Sequence, residues 1–168
     1  MALQSAVILA NSALEPDTLT SVADFDVIWD EFSYTGRHER TRAELDAIRA
    51  VRGRLRELLT ADRDTAVELV NSWLSEAGAV PQLVRHDALD WHIHAIDLDA
   101  PLDERIIVET AMAMVDVIRA DEMSRLAICA DATCEGVVLD LSRNRSRRFC
   151  STACGNRNAV AAYRARNR

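Results

Sequence analysis

The chain contains no lysine at all and no cysteine before residue 129. No apolar run approaches the roughly twenty residues needed to cross a bilayer. The opening MALQSAVILANSALEP has no basic start, and polar residues interrupt its short apolar stretch, so no secretory leader is expected. A cytoplasmic location follows as the expectation, and in that compartment clustered thiols are metal ligands more often than disulfides. No Gly-rich phosphate loop, nucleophile elbow or HExxH sequence is present, and the chain does not read as an enzyme. No internal repeat or low-complexity linker divides it. The missing lysine has a narrower consequence: arginine is the one strong base in use, so its choice over lysine says nothing about recognition.

Where the arginines fall does carry information. The 168 residues have a formal net charge of −7, yet residues 141–168 hold eight arginines and no Asp or Glu, which leaves −15 for residues 1–140. An acidic body with a basic tail is the asymmetry of a chain in which one segment meets a polyanion. The length suffices for one domain with a small appendage and a real hydrophobic core.

The four cysteines are Cys129, Cys134, Cys150 and Cys154. Four residues separate the first pair, three the second, and fifteen lie between the pairs. Two close thiol pairs bridged by a short insert suit one tetrahedral Zn²⁺, each pair on a tight knuckle delivering sulfur at about 2.3 Å. Four unrelated buried cysteines are the plainer alternative. Because all four would fill one closed shell, no position is left for a reactive zinc-bound water, and the ion is expected to be structural. Such a site carries a formal charge of about −2, which lowers the tail's surplus.

Most of residues 1–125 has helical periodicity, so the fold is expected to be mainly α with a small β-hairpin. Residues 2–12 form an apolar start closed by Pro16. Thr20 or Ser21 can cap a second helix through Val22, Phe25, Ile28, Trp29 and Phe32, with Gly36 as its stop. A third helix from His38 to about Ala61 aligns Leu45, Ile48, Val51, Leu55, Leu58 and Leu59. Asp64 is the expected cap of a fourth, with Val67, Val70, Trp73 and Leu74 inward and Gly78 at its end. PQLVRH and LDWHIHAID then read as two strands, the second turning Leu89, Trp91, Ile93 and Ala95 inward. Pro101 opens a last body helix that buries Ile107, Ala111, Met114, Val115 and Ile118. The expected division is an acidic helical domain over 1–124 and a basic metal-binding segment over 125–168, joined by a helix rather than a tether.

Within that segment the first cysteine pair forms a knuckle, VVLDL a strand, SRNR a turn and SRRFC a second strand ending on Cys150. Ser151 or Thr152 can cap a helix that holds Cys154 and runs to about Arg166. This is a treble-clef order. A segment so small cannot be stabilised by burial alone, and coordination would supply much of its folding free energy.

Cys154-Gly155-Asn156-Arg157 spells CGNR, and LDLSRNRSRRFCSTACGNRNAVAAYRAR resembles the CGNR zinc finger of bacterial regulators. In that family the finger follows an N-terminal helical domain called ABATE, associated with stress-induced transcription regulation. The resemblance covers residues 126–166 densely, through Asp140, Ser142 and Arg143 in the turn and the Arg147-Arg148-Phe149-Cys150 run. Over residues 1–120 it rests on the helical pattern and the LANSAL start. Phe149 stands where Trp is common and Val138 where an aromatic is expected; neither change touches a ligand. The resemblance implies the four cysteines as zinc ligands and double-stranded DNA as the partner.

On a helix from about residue 152, Arg157, Arg164 and Arg168 share a narrow stripe. Arg143, Arg145, Arg147 and Arg148 cluster around the hairpin, so a phosphate grip by the hairpin with the helix in a major groove is one arrangement. Gly155 and Asn156 have a plain role in closing a turn beside the knuckle. Arg157 has three: a base contact, a phosphate contact, or a hydrogen bond back to Asp140. A different class of function is a docking module whose basic face covers an acidic protein surface, its own body or another's. RNA is less well served, with only Phe149 and Tyr163 as stacking aromatics. A homodimer is suggested by the two-fold symmetry of DNA sites, not by any residue.

Two further groups stand apart from the finger. His92 and His94 share one face of a strand, near His86, and with Asp90 and Asp97 could hold a metal or make a pH-sensitive contact. The alternation favours the plainer reading, a solvated face opposite Leu89, Trp91 and Ile93. Trp29, Trp73 and Trp91 occupy apolar-stripe positions and read as core, or as the lining of a small-ligand pocket.

Overall fold

The computed structural model describes residues 1–85 and 90–167, and within them the chain is mainly α: six helices and two small antiparallel sheets. Helices α1 (Ala2–Ser12), α2 (Val22–Glu31), α3 (Arg42–Thr60), α4 (Arg63–Glu76) and α5 (Leu102–Arg119) build the body. A two-stranded sheet, β1 (Gln82–Val84) with β2 (His92–His94), lies between α4 and α5 in sequence, pairing Leu83 with Ile93. A second sheet, β3 (Leu126–Ile128) with β4 (Val137–Leu139), and helix α6 (Thr152–Arg166) form the C-terminal segment. No helix among the described residues is long and apolar enough to cross a membrane.

The helix starts follow from side chains that satisfy the first backbone N–H groups. Ser21 and Asp24 form a reciprocal capping box on α2, the Asp24 N–H donating to Ser21 Oγ, and hydrogen bonds from the Ser21 and Thr20 N–H groups and the Thr20 hydroxyl hold the Asp24 carboxyl below its ordinary range. Thr41 caps α3 and Ser151 caps α6. Helix α4 begins earlier than expected: Asp62, not Asp64, accepts from the Thr65 N–H at 3.0 Å, because Asp62 is extended while Asp64 already lies in the first turn. Along α4, Ala66, Val70 and Trp73 are buried, four and three residues apart on one face, and Val67, expected inward, is exposed.

Helix α3 starts at Arg42 rather than His38. His38 lies ahead of it, Nε2 on Asp26 and Nδ1 on Glu44, each at 2.8 Å, with its ring stacked on Trp29. Glu44 also accepts from the backbone N–H of Glu39 and Arg40, which ties these residues outside the helix. Helix α2 stops at Glu31, and Gly36 is instead a loop residue at φ +81, where a Cβ would stand 2.5 Å from the Leu98 carbonyl oxygen. Buried Arg105 secures that loop by donating to the carbonyls of Thr35, Arg37 and Ala100.

The α3 stripe is buried as its spacing predicts, from Leu45 through Leu59, and packs against α1 and α5, with α4 on α5. Arg52 enters this core only because Asp17 takes both its Nη atoms at 2.9 Å and Ser12 Oγ takes Nη1 as well. The core does not end at the body. Val137 of β4, 1% exposed, belongs to the same cluster as Leu9, Leu55 and Ile106. Asn11 fixes it there, its Oδ1 accepting from the Val137 N–H at 2.7 Å and its Nδ2 donating to the Val137 carbonyl at 2.9 Å. The connection between the two parts is a single 3-10 turn, Met123–Arg125, and direct packing.

An Asn11→Ala variant leaves both Val137 backbone groups without partners and is expected to lose about 2 kcal/mol of stability in urea unfolding. An unchanged midpoint would mean that burial of Val137 alone seats the C-terminal segment.

Candidate metal centre and its arginine surround

The C-terminal segment has almost no core of its own: Cys129, Val138 and Cys154 are buried together, with Cys134, Phe149 and Cys150 packed against them. The local order differs from the expected one. The hairpin is β3 with β4, which brackets the first knuckle, while residues 145–149 make no strand. Asp140 accounts for this: its carboxylate accepts from the N–H of Ser142 and of Arg147, at 2.8 and 2.7 Å, and so closes the turn through a side chain rather than a ladder. Ala130 N–H to the Arg148 carbonyl, 2.8 Å, brings the second cysteine pair beside the first.

The four Sγ atoms lie within 4.8 Å of one another, with Cys134–Cys150 at 3.5 Å and Cys150–Cys154 at 3.8 Å. No pair is at disulfide distance. At a Zn–S length of about 2.3 Å a tetrahedron has S···S edges of about 3.8 Å, so the cluster has the size of one such ion's shell. Burial pushes the Cys150 thiol up to about 12, its three neighbouring thiols adding to the effect, and burial raises Cys134 as well. Cys134 and Cys150 thus resist ionisation, while the hydrogen bond with Ser151 lowers Cys154; four sulfurs at this spacing fit a soft-tolerant divalent metal. N–H groups already point at the sulfurs, from Gly136 to Cys134 and from Cys150 to Cys129, both at 3.4 Å.

Two models of known families match this chain. One, described as "Putative stress-induced transcription regulator" and named ABATE, covers residues 4–121; the other, the CGNR zinc finger, covers residues 125–167. The chain belongs to the ABATE family. No curated protein matches it.

The arginines of the CGNR finger divide into two kinds. Arg157 is tied into the finger, Nε donating to Asp131 at 2.6 Å and Nη2 to Cys154 Sγ at 3.2 Å. Its acidic partner is thus Asp131, where the sequence offered Asp140. Asn158 donates to the same Asp131 oxygen, and the Thr133 hydrogen bonds and Arg157 together hold the Asp131 carboxyl down to about 2. Arg147 folds back onto the carbonyls of Phe149 and Cys150, and Arg145, at φ +49, pairs with Glu122 of the body at 2.8 Å. Arg143, Arg148 and Arg164 are exposed and form no ion pair among the described residues. Arg168, the expected third member of the helical stripe, lies outside the described residues.

Two supporting residues escaped sequence reasoning. Asp131 looked like any acidic loop residue, although an Asp two places after a knuckle cysteine is placed to accept the turn's N–H groups. Gly136 follows Cys134 by two, and a Cβ there would stand 2.8 Å from Cys150 Sγ. A Gly136→Ala variant is therefore expected to bind zinc at least about tenfold more weakly in a chelator competition. Zinc affinity should also fall as pH is lowered from neutrality, because the metal must displace thiol protons, among them those that burial holds on Cys134 and Cys150, and proton release on binding measures this directly.

Proposed function

We propose that this ABATE protein is a cytoplasmic, zinc-dependent transcriptional regulator of bacterial type that binds double-stranded DNA. In this reading the chain works as two parts, a helical body over 1–124 that senses a signal or dimerises and a finger over 125–168 that meets DNA. Cys129, Cys134, Cys150 and Cys154 each give one thiolate to a single structural Zn²⁺. No reaction is assigned to either part.

The observation that carries the proposal is the exposure of α6. Of its fifteen residues only Cys154 is buried, so the helix projects from the metal knuckle with Arg164 and Arg166 in its last turn. A helix of that length spans about 22 Å, and a major groove about 12 Å wide admits one. Arg143 and Arg148 beside it are exposed cations available to phosphates. Arg145, Arg147 and Arg157 are engaged within the protein, which makes them positioning residues first; a DNA contact by any of them needs its present partner to be shared or released. The docking alternative has one observation of its own, the exposure of Val160 and Tyr163 on α6. Against docking in cis, Arg145 is the one arginine of residues 143–148 that forms an ion pair with the body among the described residues.

Binding of zinc-loaded protein to duplex DNA across a salt series tests the proposal. Affinity is expected to fall with salt by a log–log slope of about −0.9 per phosphate contact, so eight contacts would give about −7. The Arg143→Ala/Arg148→Ala/Arg164→Ala variant should bind more weakly, with a slope shallower by about 3. Salt-independent binding, or a variant equal to the parent, would favour the docking module instead.

A further inference from the structure

Two features lie outside the finger's exposed helix. The β1–β2 hairpin is turned over relative to its sequence pattern: Leu83, Trp91 and Ile93 are more than half exposed, while His92 and His94 face the helical body and are hydrogen-bonded to each other through Nε2 at 3.0 Å. Of its expected inward set Ala95 is buried, and Leu89 and His86 lie outside the described residues. Asp90 meets His92 through its backbone carbonyl, and Asp97 accepts from the Asp99 N–H. The second feature is a cleft of about 400 Å³ between the two parts, walled by Val7, Ile8 and Phe32 of the body and by Leu141 and Arg147 of the finger, with Cys150 in its lining. A cleft of that size admits a small organic molecule.

The four sulfurs of the metal centre are not equivalent. Cys129 and Cys154 are buried, whereas Cys134 and Cys150 are partly exposed. Three of the four accept an N–H: Cys129 from the Cys150 backbone and Cys134 from Gly136, both at 3.4 Å, and Cys154 from Arg157 Nη2 at 3.2 Å. Cys150 Sγ accepts none among the described residues; its contacts are the sulfurs of Cys134 and Cys154. It is also the one cysteine in the lining of the cleft. Zinc, once bound, keeps all four sulfurs as thiolates. The thiolate is the nucleophile, and an N–H donated to it draws off charge and blunts its attack. Access and hydrogen bonding therefore single out the same sulfur.

We propose that Cys150 is a modification site: in the zinc-loaded finger its thiolate attacks small, uncharged carbon electrophiles admitted by the cleft. The apolar walls from Val7, Ile8, Phe32 and Leu141 favour reagents without a charge. With a haloacetamide, Cys150 Sγ forms a bond to the methylene carbon while the carbon–halogen bond breaks, and its electron pair leaves with the halide. The product is a neutral thioether in place of a thiolate, so the shell loses one negative charge and one good ligand. Coordination supplies much of the finger's folding free energy, and an encounter in the cleft is thereby coupled to the order of the finger. This assignment rests on zinc loading of the four cysteines and does not depend on DNA binding.

The test treats the zinc-loaded full chain with iodoacetamide and locates the adducts by peptide mass spectrometry, with zinc content measured before the reagent is added. The first adduct is expected on Cys150, formed at least about tenfold faster than on Cys129, Cys134 or Cys154, with zinc release following it. The rate should rise in proportion to iodoacetamide concentration, a reading that needs no variant to fold. In an Arg157→Ala variant that still holds zinc, Cys154 loses its N–H donor, and its share of the adduct should rise about threefold or more. A first adduct on another cysteine, equal rates at all four, or an unchanged Cys154 share in the variant would each overturn the proposal. So would a rate independent of iodoacetamide concentration, which would put zinc loss before the reaction. A chain without zinc at the outset would instead remove the metal centre itself, and this assignment with it.

Discussion

The convergence of four sulfurs within 4.8 Å is the constraint on which the C-terminal quarter of the molecule depends. Apart from the cysteines, Val138 and Phe149 are nearly all that this segment packs around. Its hydrogen bonds are arranged about the same point: Asp131 gathers Thr133, Arg157 and Asn158, and Asp140 gathers Ser142 and Arg147. These carboxylates shape the knuckles and the turn, and the knuckles aim the sulfurs. Remove the convergence and little hydrophobic free energy remains to hold the pieces in place.

What the sulfurs do not do is attach the finger to the body. That rests on Val137 inside the helical core and on the paired hydrogen bonds from Asn11. The strand that carries Val137 also carries Val138, whose side chain points the other way, into the metal cluster. One short strand therefore belongs to two cores. Helix α6 is left exposed along almost all its length, and Arg145 of the finger pairs with Glu122 of the body.

Much of this was legible in the sequence. The α3 stripe, the Ser21 and Ser151 caps, the extent of α6 and the grouping of the cysteines follow from spacing and local chemistry, and the structure has them. The misreadings share a cause. Asp62 and Asp64 are equally good caps in isolation, and only the φ/ψ of the chain decides between them. Asp140 is one of three partners the sequence leaves open to Arg157, along with a base and a phosphate, but its carboxylate is spent on the turn and Asp131 takes the arginine instead. The β2 strand alternates cleanly, yet period two states only that two faces exist, not which one faces inward. Here Glu109, fifteen residues beyond His94 in sequence, draws the histidine face inward and leaves Trp91 in solvent.

By itself, then, the sequence determined the class of fold, the metal-binding chemistry and the sign of the charge on each part, because these depend on residue type and short-range spacing. Only the tertiary structure decided which arginines are engaged and which are exposed, which face of the β1–β2 hairpin meets the body, and that Asn11 joins the two parts. Most of these turn on contacts between residues far apart in the chain, 26 positions for Arg157 and Asp131 and 126 for Asn11 and Val137. Pairings at that separation leave no periodic trace, since neither partner's neighbours in sequence reveal what the fold will bring against them.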